Sequence, residues 1–453
     1  MNHEMTYTPE EIEALIDERK LVEVRDFLKE LNEADIAQFL SELSPEKQPI
    51  VFRILPKELA ADSFAHLDSD VQESLIVAFS DKELHYVIDN LYLDDTVDMI
   101  EEMPANVVKR ILKNTDEHTR NEINELLKYP EDSAGSIMTT EYIRLEEQMT
   151  VEQAFARIRQ VGVDKETIYT CYVTNPKKEL LGTVTVKELL LADYSQTIQE
   201  IMETNLIYAE TLEDQEHVTH VFEKYDFLAL PVVDNEKRLV GIITFDDVID
   251  IIQEENTEDI EVMAAITPTD TPYIKEGVFE TYKKRIPWLL LLMISATFTG
   301  AIITHYETAL GAYVVLTAYI PMLMDTGGNA GSQASMSIIR SISMDEIHFK
   351  DIFRIQGKEF LVALLVGTTL AVANFVKLIL LDRVAIIIAL VICLTLICTV
   401  VVAKFVGCTL PMLAKKVGFD PAVMASPFIT TIVDALSLII YFQFASHLLH
   451  ITA

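Results

Sequence analysis

Beyond residue 270 long apolar runs alternate with short polar breaks, whereas before it apolar residues recur first at helical and then at strand spacing. Apolar stretches near 288–304, 309–326, 361–381, 384–403 and 423–445 each approach the ~20 residues needed to cross a bilayer. They predict an all-α transmembrane domain of five helices over 271–453. Residues 34–43, 58–67 and 82–91 align without gaps at an interval of 24 and end on Leu43, Leu67 and Leu91. Each is followed by a capping-type turn, Ser44-Pro45-Glu46, Asp68-Ser69-Asp70 and Asp94-Asp95 in order, opening a second helical stretch. Helix pairs repeating at this interval predict a small α-solenoid over residues 1–130. Over 131–253 a strand, amphipathic helix, hairpin and closing helix occur twice, predicting two α/β units. An acidic connecting helix follows over 246–270.

Charge sharpens this division. Residues 1–270 carry 60 Asp and Glu against 23 Lys and Arg, while 271–453 carry 11 against 13. So acidic a soluble part repels nucleic acid and anionic lipid and attracts cations. The N-terminus MNHEMTYTPEEIEALIDE reads as an acidic helix start without the apolar core of a signal peptide. Cys171, Cys393, Cys398 and Cys408 lack metal-ligand spacing and fit a reducing cytosol.

Flanking bases orient the spans. Lys283–Arg285 precede the first; Arg340, Lys350, Arg354 and Lys358 lie between the second and third; Lys404, Lys415 and Lys416 lie between the fourth and fifth. The opposite connections, His305–Thr308 and Asp382–Arg383, are short and weakly basic, and Lys377 can snorkel from the outer end of the third span. The expected topology is multi-pass in the cell membrane, with a cytosolic N-terminus and an external C-terminus.

Two segments place polar chemistry where lipid forbids it. In PMLMDTGGNAGSQASMSIIRS (321–341), Pro321, Gly327, Gly328 and Gly331 weaken the helix while Asp325, Asn329, Ser332 and Gln333 add polar groups. This predicts irregular backbone at membrane depth, tolerated only against protein or a water-filled cavity. In DPAVMASPFITTIVDALSLIIYF (420–442), Asp434 lies near mid-span without a basic neighbour, and Thr430 and Thr431 lie one turn away. A charge there costs roughly 2.5 kcal/mol or more, so it faces a bundle interior or a wet path. One Asp makes a poor cation site, but two copies related by a twofold axis make a good one. One or two carboxylates around a still-hydrated ion suit Mg²⁺, whereas Ca²⁺ prefers a fuller oxygen cage. A homodimer with Asp434 near its axis is the simplest expectation.

On the connecting helix, Asp247, Asp250, Glu254, Glu258 and Glu261 fall along one face, with Glu255 and Asp259 in a second stripe. No Lys or Arg occurs from 239 to 274. Like charges four residues apart oppose helix formation, so this surface calls for divalent cations to pack against other acids. Candidates for those acids are Asp94, Asp98, Glu213, Asp214, Glu216 and Asp226. His217 and His220, and likewise His447 and His450, lack a third ligand and read as surface histidines. No Walker A loop, GxSxG or HExxH occurs, so an enzyme is not expected.

The hairpins YVTNPKKELLGTVTV and PVVDNEKRLVGIITF within their α/β units resemble tandem cystathionine-β-synthase (CBS) domains. The first copy departs from nucleotide-binding ones at Lys187-Glu188, where those carry Asp second to hold ribose, leaving ATP binding a weak alternative. Acidic helical repeats, paired CBS units, a carboxylate-rich helix, PMLMDTGGNAGSQ and DPAVMASPFITTIVD together resemble the MgtE magnesium channels across nearly the whole chain.

That resemblance implies a multidomain membrane protein: α-solenoid N-domain, α/β tandem CBS domains, connecting (plug) helix and a five-helix all-α pore domain. It implies a dimer with a pore on the twofold axis, lined by spans two and five. Asp434 matches the family's central ion-binding aspartate, and Asn329, Gly331 and Gln333 match its GNxGxQ segment, with Gly328, Asp325 and Thr431 beside them. Asp94, Asp98, Asp214, Glu216, Asp226, Asp247, Asp250, Glu255, Glu258 and Asp259 look like its cytosolic magnesium-sensing acids, with Gly135 as a backbone ligand. Some members carry Asn near the position of Ser426 and Gly near that of Ser437. The implied function is passive Mg²⁺ uptake, shut by cytosolic Mg²⁺ bound between acidic surfaces. Alternatives are an ion-coupled divalent-cation carrier or exporter, and a CBS-based membrane sensor.

Overall fold

The computed structural model describes residues 7–269, 273–274, 276–306, 311, 313–344 and 346–450. It divides into two compact units, Met1–Ile252 and Gln253–Ala453. The first six residues, parts of the 266–275 segment, and Glu307 and Thr308 of the connection after the first apolar stretch lie outside the described residues.

Among the described residues, the first unit opens with ten helices. α1 (Pro9–Asp17), α3 (Glu33–Glu42), α5 (Lys57–Ala65), α7 (Asp81–Ile88) and α9 (Ala105–Asn114) begin 24 residues apart. Between them run α2 (Leu21–Leu28), α4 (Gln48–Ile54), α6 (Ser69–Ala78), α8 (Leu93–Glu102) and α10 (Glu117–Leu126). The repeat thus extends one unit beyond the predicted three on each side. Ile36 and Leu40, and Leu84 and Ile88, are buried at i,i+4 and fill one continuous core, as amphipathic spacing requires. Thr8 with Glu11, and Ser80 with Glu83, form capping boxes that start α1 and α7. Asp94 and Asp95, read from sequence as a capping turn, instead sit inside the first turn of α8, after Tyr92 at the cap. Acidic groups are favoured there by the positive end of the helix dipole.

The α/β pair follows the predicted order. The first copy comprises β1 (Ile143–Glu146), α11 (Val151–Val161), β2 (Thr170–Thr174), β3 (Leu180–Thr185) and α12 (Val186–Leu191). After the short α13 (Ile198–Ile201), the second has β4 (Ala209–Glu210), α14 (Gln215–Tyr225), β5 (Ala229–Val233), β6 (Leu239–Thr244) and α15 (Phe245–Met263). In each, the first strand pairs parallel to the second and the second antiparallel to the third. The segment leading into each copy pairs with the other copy: Thr139 exchanges backbone hydrogen bonds with Ile242, and Glu203 with Thr183. Gly182 and Gly241 hold equivalent positions in these crossings, where a Cβ would strike Met202 and Met138 respectively.

The second unit is helical: the end of α15, then α16 (Val278–His305), a 3₁₀ stretch (Val314–Tyr319), α17 (Ile320–Ser343), α18 (Ile352–Leu380), α19 (Ile386–Val417) and α20 (Ser426–Leu448). Among the described residues, α16, α18, α19 and α20 are long and apolar enough to cross a membrane. α17 is long enough but carries a polar stripe. It corrects the expectation of irregular backbone: residues 320–343 form one continuous helix, because Pro321 sits in its first turn and the glycines pack against neighbouring helices. This helix begins later than the apolar stretch 309–326 read from the sequence. The helices also outrun their apolar stretches, so Lys283–Arg285, Arg340, Arg354, Lys358, Lys415 and Lys416 lie within helices rather than between them. Lys404, expected in a connection, is buried inside α19.

Candidate ion path and cytosolic acid cluster

α17 has two unlike faces. Gly327, Gly328, Gly331, Ala334 and Ser335 are buried, while Asp325, Asn329, Gln333 and Arg340 are exposed and turned away from the chain's own helices. The glycines permit close approach: a Cβ on Gly328 would stand 2.8 Å from Thr430 of α20, and one on Gly331 would stand 2.7 Å from Ile429. Ser335 Oγ donates to the Met424 carbonyl (3.0 Å), tying α17 to the start of α20. Gly328 and Gly331 therefore act within one chain as packing positions, and the polar stripe on the exposed face of α17 is left to Asp325, Asn329 and Gln333.

Asn329 Nδ2 donates to Asp325 Oδ1 (3.1 Å), which orients both side chains along the stripe. Asp434 of α20 is half-buried and within electrostatic reach of Asp325 across the α17–α20 contact. Thr430 and Thr431 both donate to the Pro427 carbonyl (3.0 and 2.9 Å), so the hydroxyl of Thr431 is oriented by its own helix. At the opposite end, Tyr319 Oη donates to Asp382 (3.0 Å), which also pairs with Lys377 (3.4 Å). Near the Arg340 end, Val262 and Met263 of α15 pack beside Ile339, Ala422 and Ala425. The last turn of the acidic helix thus meets the segments that begin α20 and continue α17.

The first unit gathers a second polar site. Asp94 is only 6% exposed. Burial, followed by the charges of Asp247 and Asp95, pushes its carboxyl well above the ordinary carboxylate range. Burial also raises Asp95 to about 6, with Asp246 adding to the shift and His66 opposing it. Glu141 is pushed up to about 7, by burial above all. Glu166 is pushed up to about 8 by burial, then by the charges of Asp95, Asp246 and Asp247. Asp247 is raised by burial although the Thr244 hydroxyl hydrogen-bonds to it. The Glu166 amide donates to the Glu141 carbonyl (3.0 Å), which brings these two residues together. Neither Glu141 Oε2 nor Glu166 Oε2 has a hydrogen-bond partner among the described residues.

Asp94 and Asp247, both expected from the sequence, are therefore neighbours, and Asp250 lies beside Asp246 and His66. Asp98 is exposed one turn along α8. Gly135 donates its amide to the Thr211 carbonyl (2.9 Å) close to Asp214, which caps α14 by accepting from the Glu216 amide (2.9 Å). Asp226 ends the same 11-residue helix in left-handed conformation, ~18 Å from Asp214 at 1.5 Å per residue. One chain therefore does not unite Asp226 with Asp214 and Glu216. Glu255, Glu258 and Asp259 lie on the later turns of α15. Among the described residues, no three His, Cys, Asp or Glu groups converge closely enough to hold a metal ion.

The sequence reading missed Asp95, Asp246, Glu141 and Glu166. Asp95 follows Asp94 and Asp246 precedes Asp247, so each adjoins an acid the sequence did single out. Glu141 and Glu166 flank a whole strand and helix, so no local spacing announces their meeting. Glu188 spends its carboxylate on the amide and hydroxyl of Thr185 (2.7 and 2.9 Å) in a capping box.

A family profile for MgtE, described as a divalent cation transporter, matches residues 320–444; the MgtE intracellular N domain matches 31–132, and CBS domains match 134–195 and 198–254. A magnesium transporter MgtE from Thermus thermophilus is 35% identical over 436 residues, covering 94% of this chain and 95% of that protein. The chain belongs to the MgtE family. The magnesium transporter MgtE of Bacillus subtilis is 30% identical, with 96% of each protein covered. Among solved structures, the cytosolic domain of the Mg²⁺ channel MgtE in complex with ATP matches 53% of this chain and 98% of its own, at 36% identity and TM-score 0.50. The soluble part of a magnesium transporter matches 56% and 99%, at 27% identity and TM-score 0.52. This MgtE protein is thus a membrane transporter and not an enzyme, with an α-helical N-domain, a CBS pair and a helical membrane part.

Proposed function

We propose that this MgtE protein is a Mg²⁺-selective channel for passive uptake, working as a homodimer and closed by cytosolic Mg²⁺. The observation that carries the reading is the polar stripe Asp325–Asn329–Gln333 facing away from the chain's own helices, with Asp434 beside it. A stripe facing lipid would be costly. Facing a second copy, it lines a path with two Asp434 carboxylates, which suits a still-hydrated Mg²⁺. The five-span topology, with the N-terminus in the cytosol and the C-terminus outside, fits the bases near the cytosolic helix ends. Inward flow then needs no ATP, because each elementary charge gains ~2.3 kcal/mol per 100 mV.

Gating follows from the acid cluster. Without Mg²⁺, the carboxylates of Asp94, Asp95, Glu166 and Asp247 repel one another; with it, the acidic surfaces close and the α15 end against Ile339 and Ala422 holds the path shut. An ion that binds the closed state better shifts the population toward it. ATP at the CBS pair is a second reading, favoured by the ATP-bound solved relative and opposed by the engaged Glu188.

The test is Mg²⁺ flux into liposomes holding the full-length protein, with a Mg²⁺ gradient but no ATP, Na⁺ or H⁺ gradient. Wild type should carry flux and Asp434→Ala should carry none. Strict dependence on an H⁺ or Na⁺ gradient would replace the channel by a coupled carrier.

A further inference from the structure

An ion pair lies inside the membrane part, away from the polar stripe. Lys404 of α19 is 6% exposed, and its Nζ meets Glu359 Oε2 of α18 at 3.0 Å. Close by, Gln356 Nε2 of α18 donates to Thr409 Oγ1 of α19 (3.0 Å). These two contacts join the same pair of antiparallel helices, in an interface otherwise filled by small and apolar groups such as Ala363, Gly367 and Val400.

The turn of α19 that carries Lys404 is also the turn against which α17 closes. A Cβ on Gly331 would lie 3.2 Å from the Ala403 carbonyl oxygen, and a Cβ on Gly407 would overlap the Gly331 carbonyl oxygen. At ~100° per residue, Ala403 and Gly407 stand about 60–100° around the helix from Lys404. One side of this turn therefore grips α18 through a charge, while the adjacent side receives α17 through bare backbone. Gly331 lies between Asn329 and Gln333 of the polar stripe, so the rotation of α19 sets where those two amides stand.

Small-residue contacts permit close approach but resist rotation weakly, since a glycine surface has few features to interlock. A charge-assisted hydrogen bond is directional and, with both side chains this buried, neither partner can let go without leaving an uncompensated charge. We propose that the Glu359–Lys404 pair is a positioning element for permeation: it fixes the rotation of α19, and through Gly407 and Gly331 the placement of Asn329 and Gln333. The proposal rests on the channel reading, because it assigns the pair a part in selecting the ion.

The experiment compares Mg²⁺ and Ca²⁺ fluxes per protein molecule in liposomes holding the full-length protein. The variants are Glu359→Gln, Lys404→Met, the swap Glu359→Lys with Lys404→Glu, and the apolar double Glu359→Leu with Lys404→Met. Monodispersity and melting temperature are measured alongside. The expected result is a change of about fivefold in the Mg²⁺ to Ca²⁺ flux ratio for each folded single variant, returned to within about twofold of wild type by the swap. A pair that only stabilised the fold would lower melting and leave the ratio unchanged, which would overturn the proposal. Should neither single variant fold, the apolar double decides, because it buries no charge: an altered ratio supports the proposal and a wild-type ratio overturns it. Absence of Mg²⁺ flux from wild type in the same liposomes defeats the channel reading instead, which keeps the two failures apart.

Discussion

Gly407 rests on the carbonyl oxygen of Gly331, so that α19 and α17 touch backbone to backbone with no room for a Cβ between them. That contact brings the buried face of α17 down onto its neighbours and leaves Asp325, Asn329 and Gln333 on the opposite face. Close packing and polarity are thus two faces of one helix.

Gly407→Ala should therefore damage transport without touching a polar group. The methyl must push α17 outward, and overpacking of this kind costs about 1–3 kcal/mol. The expected outcome is a lower melting temperature in detergent and a severe loss of Mg²⁺ flux, whereas Gly357→Ala, where nothing lies within 4 Å of a Cβ, should behave as wild type.

The acid cluster gives the metal-free protein an unusual pH dependence. Asp95, Glu141 and Glu166 titrate at about 6, 7 and 8 when folded, above the ordinary carboxylate range of the unfolded chain. The folded state therefore binds more protons than the unfolded state between about pH 4 and 8. Their carboxyls favour folding least once pH has risen through these values, so metal-free stability falls as pH rises across that window. Thermal melts of the full-length protein with chelator should drop by roughly 5 °C from pH 5.5 to pH 8.5. Added Mg²⁺ should recover most of the loss at pH 8.5 and little at pH 5.5. A flat profile would remove the cluster from the energetics of the first unit.

Glu166→Gln isolates one member of that cluster. Its carboxyl is held at about 8 chiefly by burial, so the neutral amide should make the chelated protein more stable at pH 8.5. The same change should weaken stabilisation by Mg²⁺, measured as the shift of melting temperature with Mg²⁺ concentration.

Gating is tested on α15. Neutralising Asp247, Asp250 and Glu258 together should leave Mg²⁺ flux running at high internal Mg²⁺, where wild type closes. Asp247 belongs to the buried cluster, and all three lie on the single helix whose last turn packs beside Ile339 and Ala422. Unchanged closure in flux assays against internal Mg²⁺ would remove the link between the acids and the gate.

Local pattern carried much of this fold into view. The helical repeat was legible because Leu43, Leu67 and Leu91 close successive helices at a fixed interval, and the two α/β copies because each hairpin keeps strand alternation around a polar turn. The course of α17 was not legible: three glycines and a proline weaken a helix in water, but the proline sits in the first turn and the glycines are what lets the helix pack on α19 and α20. Lys404 misled for a related reason, since its partner Glu359 lies 45 residues away and no local spacing joins them. The same holds for Glu141 and Glu166, which meet Asp95 only through the fold. Asp434 stood out at once, because a lone carboxylate at mid-span has few uses.

The most direct measurement is a planar-bilayer recording of the full-length protein with Mg²⁺ as the sole charge carrier and low Mg²⁺ on the cytosolic side. The expected result is discrete unitary Mg²⁺ currents for wild type, silenced by cytosolic Mg²⁺ and absent from Asp434→Ala. Currents of undiminished size through Asp434→Ala, or none through wild type that carries flux only with an H⁺ or Na⁺ gradient, would contradict it.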